Sequence, residues 1–213
     1  MAKAIRFDRA GGPEVMQWES IEPGEPGPGE VRVRHVAVGL NFADIYFRSG
    51  LYPAVLPAGL GVEAAGVVEA VGSDVTTFAV GDRVTYTGSP LGAYSTERVM
   101  STAPLIKLPA GIPFETAAAM TMRGLTTSYL LRRIAPLEAG DTVLLHAAAG
   151  GVGLIFLQWA RLLGVNVIGT VSSDEKAEVA QRYALEDAVQ AHRDLEAGRS
   201  IGSSVFCLES PRT

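Results

Sequence analysis

Hydrophobic and polar residues alternate in short runs over the first half of the chain. The runs are rich in Val, Ile and Tyr and read AKAIRF, EVRVRHVAVGL, GVVEAVG, DRVTYTG and AYSTERVM. Partial alternation of this kind is typical of half-buried strands. The segment EPGEPGPGE, residues 22–30, has too many prolines for a helix interior or a central strand, so it is predicted to be a surface loop. This half of the chain predicts a small β-barrel.

One helical segment, NFADIYFRSG, interrupts the strand pattern. Asn41 is a plausible N-cap and Gly50 a plausible C-terminal stop. The polar residues at 41, 44 and 48 recur at spacings of three and four, so they share one helix face. That face is expected either to meet solvent or to line a cleft.

The pattern becomes helical from Pro113 onward. The segment FETAAAMTMRGLTTSYLLRRI predicts one or two helices, and TVLLH and VNVIGT predict two strands with a helix between them. Further on, SSDEKAEVAQ predicts a helix, the apolar spacing from Leu185 to Leu195 predicts another, and IGSSVFCL predicts a last strand. The change from β-rich to strand-helix-strand pattern indicates a second structural unit.

A glycine-rich motif stands between the first of these strands and its helix. The sequence AAAGGVG has the spacing A-x-G-x-x-G from Ala148 to Gly153. Gly150 and Gly151 allow the main chain to approach a pyrophosphate, Gly153 allows close packing of helix on strand, and the free amides at the helix start bind phosphate oxygens. The motif in this context predicts a dinucleotide-binding unit.

The end of the second strand bears on the choice of dinucleotide. VNVIGT is not followed by the acidic residue that accepts the ribose hydroxyls of NAD; Ser172 and Lys176 follow instead. Hydroxyls and a lysine suit a 2′-phosphate, which favours NADPH. Asp174 and Glu175 leave open the alternative that Lys176 is an exposed helix lysine.

Composition excludes several classes of function. The 213 residues are 47% hydrophobic and 19% charged with a net charge of −5, which argues against disorder and against a nucleic-acid partner. The N-terminal residues lack the apolar run of a secretory signal or a membrane span, so a cytoplasmic protein is expected. The lone cysteine, Cys207, permits neither an internal disulfide nor a cysteine-based zinc cluster.

Long stretches of the chain resemble one enzyme family. They include AIRFDRAGGPEVM, VAVGLNFADIYFRSGLYP, LPAGLGVEAAGVVEAVGSDV, GLTTSYLL and LLHAAAGGVGLIFLQWARLLGVNVIGTVSSDEKA. These segments are similar to the zinc-free quinone oxidoreductases, the zeta-crystallin-like branch of the medium-chain dehydrogenase/reductase superfamily, over residues 1 to about 178. The resemblance implies an α/β plus β fold, in which a GroES-like β-barrel domain joins a Rossmann-type unit.

The resemblance also implies roles for individual residues. Asn41 and Thr126 would lie against the nicotinamide and ribose, and Tyr46 and Tyr52 would face the acceptor. The remaining cofactor-binding residues would be Ala148, Gly150, Gly151, Val152 and Gly153 at the pyrophosphate, and Ser172 and Lys176 at the adenosine phosphate.

Each role has a structural alternative. Tyr46 and Tyr52 would only pack, Asn41 would only cap its helix, and Thr126 would only be a hydroxyl that is satisfied at the start of a helix. Asp44 and Arg48, one turn apart, are predicted to form a surface ion pair, and His35 and His146 to be packed histidines.

Two positions set the chain apart from the zinc enzymes of the superfamily. Asn41 replaces their catalytic cysteine, and Gly61-Val62-Glu63 replaces a Gly-His-Glu sequence, so no metal site is expected. The family resemblance then implies direct hydride transfer from NADPH to a quinone or another small electrophilic acceptor, which depends on alignment of donor and acceptor. An enone or alkenal reductase is the alternative that shares this chemistry.

The C-terminal part of the chain resembles a segment of the family that lies elsewhere in the relatives' sequences. RYALEDAVQAHRDLEAGRSIGSSV is similar to the family's extreme C-terminus, not to the segment that follows the second strand-helix pair, so a large part of the nucleotide domain is predicted to be missing between Ala177 and Tyr183. The expected divisions are a GroES-like domain (1–122), a truncated Rossmann unit (123–181) and a returning C-terminal segment (182–213). The alternative function is a non-catalytic interaction module, and the open sheet favours self-association as a homo-oligomer, a dimer.

Overall fold

The computed structural model describes residues 1–88, 90–170, 182–183, 193, 196–197 and 204–207. The chain begins with a small sheet in which β1 (Ala2–Phe7) pairs with β2 (Gln17–Ile21) and with β4 (Ala58–Gly59), both antiparallel. The predicted first strand is confirmed. β2 has no counterpart in the sequence prediction, because its five residues QWESI contain only two large apolar side chains.

A larger sheet completes the barrel. Its members from the first half of the chain are β3 (Glu30–Leu40), β5 (Glu63–Val71), β6 (Arg83–Thr87), β7 (Glu97–Ser101) and β8 (Leu105–Lys107), and those from the C-terminal part are β11 (Arg182–Tyr183) and β12 (Ser204–Cys207). The sheet runs in the order β11-β12-β3-β5-β6-β8, with β7 also paired to β3. The strand predictions for β3, β5 and β6 are confirmed, while only the second half of AYSTERVM is strand.

The barrel interior is packed by alternating side chains and by one helix. Val31 and Val33 of β3 have no exposed surface, as half-buried alternation predicts. Near the end of β3 every residue from Val38 to Leu40 is buried, because α2 (Phe114–Tyr129) covers the outer face of the sheet there. Small residues allow this close approach: the buried cluster between helix and sheet includes Ala37, Ala65, Ala117 and Ala118.

Two helices flank the barrel. α1 (Phe42–Ser49) begins after Asn41 and ends at Gly50, whose φ of 84° is the left-handed conformation of a helix stop, so both predicted helix ends are confirmed. α2 is one helix, extended by a π-helical turn over Leu130–Ile134. The predicted boundary between residues 122 and 123 falls inside α2, which therefore connects the barrel to the next unit.

The following unit is a strand-helix-strand motif, as predicted. β9 (Thr142–Leu145) and β10 (Asn166–Gly169) are parallel, with Val143 opposite Val167, and α3 (Gly151–Leu163) crosses between them. One sheet face packs on α3 in a cluster that includes Phe156 and Ala160. On the other face Leu144 and Ile168, adjacent in the register, are 57% and 59% exposed. Parallel sheets are normally covered on both faces, so this one is half covered in the described structure.

The C-terminal segment returns to the barrel. β12 (Ser204–Cys207) pairs antiparallel with residues 37–40 of β3, and β11 (Arg182–Tyr183) lies parallel to β12. The predicted last strand is confirmed. The predicted helices after Ser172 and from Leu185 to Leu195 fall almost wholly outside the described residues, as does the predicted junction after Ala177. Within the parts of the chain that the structure describes, no helix has both the length and the apolar character needed to cross a membrane.

Candidate functional site

The glycine-rich loop between β9 and α3 is shaped by its own main chain. Gly150 N–H donates to the carbonyl of Ala147 (2.8 Å), and Ala148 N–H donates to the carbonyl of Thr170 at the end of β10 (3.0 Å). A Cβ added at Gly153 would lie 2.4 Å from the carbonyl oxygen of Ala148 and 2.6 Å from that of Ala147. Both neighbours are main-chain atoms that cannot move aside, so only glycine fits at position 153.

The same loop forms a site suited to an anion. α3 begins at Gly151, so the amides of its first turn, at Gly151, Val152 and Gly153, have no carbonyl four residues earlier within the helix. These N–H groups lie at the positive end of the helix dipole. The arrangement is the one that binds phosphate groups in nucleotide-binding folds.

One cavity joins this loop to the barrel. It has a volume of about 270 Å³ and lies between the end of β3, the start of α1, the second half of α2 and the start of α3. It is lined by Leu40, Asn41, Phe42, Ala43, Met122, Arg123, Thr126, Gly150, Gly151 and Val152. Five of the predicted cofactor-binding residues thus share one cavity, while the buried Ala148 and Gly153 lie outside its lining.

The two threonines of α2 have different partners. The Thr126 hydroxyl donates to the carbonyl of Met122 one turn earlier (2.8 Å), so toward the cavity it offers only acceptor lone pairs. The buried Thr127 hydroxyl lies 3.4 Å from the carbonyl of Val152, at the first turn of α3. α2 therefore contacts the start of α3 beside the glycine-rich loop and forms one wall of the cavity.

A buried polar network lies behind the barrel-side wall. The Asn41 side-chain amide donates to Glu63 Oε2 (2.8 Å), and the main-chain N–H of Met122 donates to Glu63 Oε1 (2.6 Å). Arg123 Nη1 lies 3.8 Å from Glu63 Oε2, and its Nη2 donates to the carbonyl of Leu40 (2.7 Å). Glu63 has no exposed surface and Asn41 is 6% exposed.

Burial dominates the electrostatics of this network. Desolvation raises the pKa of Glu63, while the Arg123 guanidinium and the donated hydrogen bonds act in the opposite direction. Burial likewise raises the pKa of Asp44 to about 7, against hydrogen bonds from the Asn41 N–H and the Tyr94 hydroxyl. Two carboxyl groups and one guanidinium are therefore held in the low-dielectric region under the cavity.

Comparison with known proteins agrees with this arrangement. Residues 27–110 match the alcohol dehydrogenase GroES-like domain. The chain is 56% identical over 202 residues to a quinone oxidoreductase of Pseudomonas aeruginosa, covering 94% of this chain and 62% of that protein. A solved quinone oxidoreductase of Pseudomonas syringae pv. Tomato superposes with a TM-score of 0.94 at 35% identity, over 98% of this chain and 100% of that one. The chain belongs to the zinc-free quinone oxidoreductases.

Membership of this family accounts for the observed fold, a GroES-like barrel with a truncated Rossmann-type unit. The Escherichia coli quinone oxidoreductase solved as a complex with NADPH superposes with a TM-score of 0.80 at 47% identity, over 89% of this chain and 56% of that one. The present chain spans about 62% of the length of the P. aeruginosa relative. The chain thus matches only part of the length of these two relatives.

The two tyrosines that the family resemblance assigns to the acceptor lie beside the cavity rather than in its lining. Tyr46 and Tyr52 contact each other edge to face, with ring centroids 5.2 Å apart. Phe42, which lines the cavity, lies 6.3 Å from the Tyr46 ring. Tyr46 is half-buried and Tyr52 is 44% exposed, so the pair forms a partly exposed aromatic cluster that continues from Phe42 of the cavity lining.

The prediction of a surface ion pair between Asp44 and Arg48 was wrong. Asp44 has no exposed surface and Arg48 is 1% exposed. The polar face of α1 packs inward, where Asp44 caps the helix through the Asn41 N–H (2.8 Å) and Arg48 donates to the carbonyl of Gly11 and pairs with Glu196. Local charge spacing does not reveal that a helix face is covered by other parts of the chain.

The two predicted packed histidines differ in burial. His35 is a packed histidine, as predicted: its Nδ1 lies 2.7 Å from the carbonyl oxygen of Ser95 and its Nε2 2.9 Å from the Tyr86 hydroxyl. For His146 the prediction was wrong, because its side chain is exposed and reaches only the Thr170 hydroxyl (3.1 Å). In the described structure no further layer covers this face of the sheet.

Five residues of the cavity lining, and the role of the buried Glu63 behind it, were not predicted from the sequence; the five are Leu40, Phe42, Ala43, Met122 and Arg123. Arg123 and Glu63 are charged residues within apolar segments, AAAMTMRGL and GVEAAGVV. A charge in such a segment indicates a buried, paired group. Ser172 and Lys176 lie outside the described residues. Among the described residues no cluster of three His, Cys, Asp or Glu side chains is arranged to hold a metal ion.

Proposed function

We propose that this chain binds NADPH and transfers its hydride to a quinone or another small electrophilic acceptor. The observation that carries the proposal is the cavity that joins Asn41 and Thr126 to the amides of Gly150, Gly151 and Val152. These residues come from three separate elements, and the family resemblance assigns all five to one dinucleotide. The Escherichia coli relative solved with NADPH supports the choice of cofactor.

The residues of the cavity suit the two ends of the cofactor differently. The first-turn amides of α3, with Ala148 and Gly153 shaping the loop behind them, would hold the pyrophosphate. Asn41 and Thr126 would hold the nicotinamide and ribose. Ser172 and Lys176 would bind the adenosine 2′-phosphate, since neither repels an anion.

NADPH, when bound, supplies the hydride, so the protein's task is alignment and electrostatics. Leu40 and Met122 give the cavity apolar walls that exclude water, and Arg123, whose charge is balanced by Glu63 behind it, forms a polar part of the lining. The Tyr46 and Tyr52 hydroxyls would donate hydrogen bonds to the acceptor oxygen that gains negative charge. The acceptor would enter along α1, past the exposed ring of Phe42.

A non-catalytic binding module is the second candidate. The observation in its favour is the sheet face with the exposed Leu144 and Ile168, which none of the described residues covers, in a chain that spans about 62% of the P. aeruginosa relative. A two-stranded sheet is marginal by itself. Under this second proposal the barrel folds, but the unit formed by β9, α3 and β10, named here the nucleotide unit, binds NADPH too weakly for turnover.

Titration of the protein with NADPH, followed by cofactor and tryptophan fluorescence, separates the two candidates. Saturable binding with turnover of NADPH supports the oxidoreductase, whereas a folded barrel with no saturable binding supports the binding module. A panel of quinones and enones, assayed by NADPH oxidation, then assigns the acceptor class. Reduction of enones alone would replace the quinone with an alkenal-type acceptor.

We also propose that the chain self-associates, and features of the described structure support this proposal. The free edge of β9 and the exposed Leu144 and Ile168 would be covered in a homodimer. Light scattering coupled to size-exclusion chromatography should give twice the 22.4 kDa chain mass. A monomer at all concentrations would refute this part while leaving cofactor binding open.

A further inference from the structure

The carboxylate of Glu63 is placed behind the cavity and outside its lining. Three of the cavity's ten lining residues nevertheless contact it: Asn41 through its side-chain amide, Met122 through its main-chain N–H, and Arg123 through its guanidinium. Asn41 precedes α1, while Met122 and Arg123 lie in α2. One buried side chain of β5 therefore connects two walls of the same cavity.

The contact with Met122 is unusual for a helix. An interior main-chain N–H normally donates to the carbonyl four residues earlier. The N–H of Met122, in the middle of α2, donates to Glu63 Oε1 at 2.6 Å, a short bond as expected for a carboxylate acceptor. This hydrogen bond thereby fixes the position of α2 relative to the barrel. It also fixes the position of Thr126, which lies one turn further along α2.

The surrounding sequence leaves room for this carboxylate. A Cβ at Gly39 would lie 2.5 Å from Glu63 Oε2 and 2.5 Å from the carbonyl oxygen of Ala118, so a larger residue would displace the side chain. Arg123 is held in place from the other side, because its Nη1 donates to the carbonyl of Ala119 (2.8 Å) and its Nη2 to that of Leu40. Glu63 and Arg123 thus brace β3, β5 and α2 against one another.

We infer that Glu63 is a positioning residue for the cofactor pocket: it holds Asn41 and the middle of α2 at the separation that NADPH requires, without touching the cofactor. The inference rests on the proposed function for its ligand. It assigns to Glu63 a task distinct from balancing the charge of Arg123, because the two main bonds, to Asn41 and Met122, involve uncharged donors. The length of the side chain at position 63 should then affect NADPH binding as much as its charge does.

Two variants separate reach from charge. Glu63→Asp keeps a buried negative charge, whose attraction to Arg123 falls only slowly with distance, but its shorter side chain cannot reach Met122 and Asn41 to accept their hydrogen bonds. Glu63→Gln keeps the length but replaces one acceptor oxygen by an NH2 group that opposes the donors. The matched control is Glu69→Gln, on the same strand, which removes a partly exposed carboxylate that pairs with Arg34 (2.6 Å) away from the cavity.

The readout is the NADPH dissociation constant of folded protein, with folding checked by circular dichroism. We expect both variants at position 63 to weaken NADPH binding at least tenfold, and Glu69→Gln to change it less than twofold. If charge balance were the whole role, Glu63→Asp would bind NADPH within threefold of the parent chain, and the inference would be overturned. Loss of the barrel itself in Glu63→Asp would also overturn it, since it would assign Glu63 to folding.

Amide hydrogen exchange tests the same inference without cofactor. In Glu63→Asp the Met122 amide should exchange at least tenfold faster, while the amides of β6 keep their parent rates. Unchanged exchange at Met122 contradicts the inference. If the parent chain does not bind NADPH at all, the proposed function fails, and the exchange measurement still decides whether Glu63 holds α2.

Discussion

The barrel and the nucleotide unit are built from the same kinds of residue but bury them to different extents. In the barrel, Leu60 and Val84 have no exposed surface, and even the polar His35 is packed inside. In the nucleotide unit, the side chains of Leu144 and Ile168 are more than half exposed, and Leu162 of α3 is 86% exposed. Hydrophobic burial provides most of the free energy of folding, so the two regions should differ in local stability.

This difference bears on the cavity, because its walls come from both regions. Asn41 and Arg123 are anchored to the barrel through buried hydrogen bonds, whereas Gly150 to Val152 belong to the loop of the half-covered sheet. The barrel wall is preorganised, and the wall formed by the glycine-rich loop depends on the unit that we expect to be less stable. Cofactor affinity should therefore be limited by the cost of ordering that unit.

The largest difference between the two regions is expected in the free energy of unfolding that is lost when a leucine of each region is replaced by alanine. Leu60→Ala removes a fully buried side chain and should lower the free energy of unfolding of the barrel by about 2 to 5 kcal/mol. Leu144→Ala removes a side chain that is 57% exposed and should cost less than about 1 kcal/mol. Urea unfolding of both variants measures the two values. Equal costs would show that the sheet face is covered in solution and would remove the contrast.

The pH dependence of barrel stability should reflect His35. Burial, assisted by the charge of Arg98, lowers its pKa from 6.5 to about 4 in the folded chain, against the hydrogen bond to Ser95. The unfolded chain therefore takes up the proton first, so the His35 contribution is complete above pH 6.5 and is lost as the pH falls toward 4, by about 3 kcal/mol in total. Asp44 acts in the opposite sense, because its raised pKa makes its contribution complete at low pH and lost as the pH rises through about 7.

Comparison of variants isolates the contribution of His35 to the pH dependence of stability. Between pH 7.5 and 4.5 the parent chain should lose about 2 to 3 kcal/mol more than His35→Gln, since only the parent carries the group whose pKa is lowered. His146→Gln, at the exposed histidine of the nucleotide unit, is the control and should follow the parent chain. Parallel curves for the parent and His35→Gln would contradict the account of the barrel core.

A substitution in the glycine-rich loop should affect binding and leave the barrel intact. Gly153→Ala introduces a Cβ within 2.6 Å of two main-chain carbonyl oxygens, so the loop must move. We expect NADPH affinity to fall ten- to a hundredfold, about 1.4 to 2.7 kcal/mol. Gly124→Ala is the control in α2, where an added Cβ meets no atom within 4 Å apart from the neighbouring main chain of its own helix. Fluorescence titration gives the affinities, and an unchanged affinity in Gly153→Ala would place the cofactor elsewhere.

A smaller effect on NADPH affinity is expected at the end of the site that would bind the adenosine 2′-phosphate. Lys176→Ala should weaken NADPH binding by roughly 1 to 2 kcal/mol, the value of one charge-assisted contact, and should leave NADH binding unchanged. Parallel titrations with the two cofactors measure the difference. An equal loss for both would refute the assignment of Lys176 to the 2′-phosphate.

No effect is expected from metal removal. Asn41 and Val62 stand where the zinc enzymes of the superfamily carry a thiolate and an imidazole, and neither replaces those ligands. Dialysis against a chelator should leave the unfolding midpoint and any NADPH oxidation unchanged. Stoichiometric zinc in the purified protein, measured by elemental analysis, would contradict this prediction.

The sequence predicted the elements that local patterns determine. The alternation in β3, the caps of α1 at Asn41 and Gly50, and the strand-helix-strand unit around Gly150 each depend on a few consecutive residues. The short strand β2 was missed because QWESI has too few apolar residues to show a period. The cavity residues that carry a motif were predicted, although their assignment to NADPH stays a prediction.

Tertiary contacts account for what the sequence did not predict. The burial of Asp44 and Arg48 depends on Tyr94, Gly11 and Glu196, which are far away along the chain. The network of Glu63 likewise joins residues separated by 22 and 59 positions. The exposure of His146 follows from the half-covered sheet, which the motif itself does not reveal.

Amide hydrogen exchange with and without NADPH tests the central claim, that a stable barrel carries a less stable nucleotide unit which cofactor binding orders. Without cofactor, amides in β3, β5 and β6 should exchange slowly, and those from Thr142 to Gly169 at least a hundredfold faster. Added NADPH should slow exchange at residues 148–154 selectively and leave the barrel rates unchanged. Uniform protection across both regions without cofactor, or no change at residues 148–154 with it, would contradict the account.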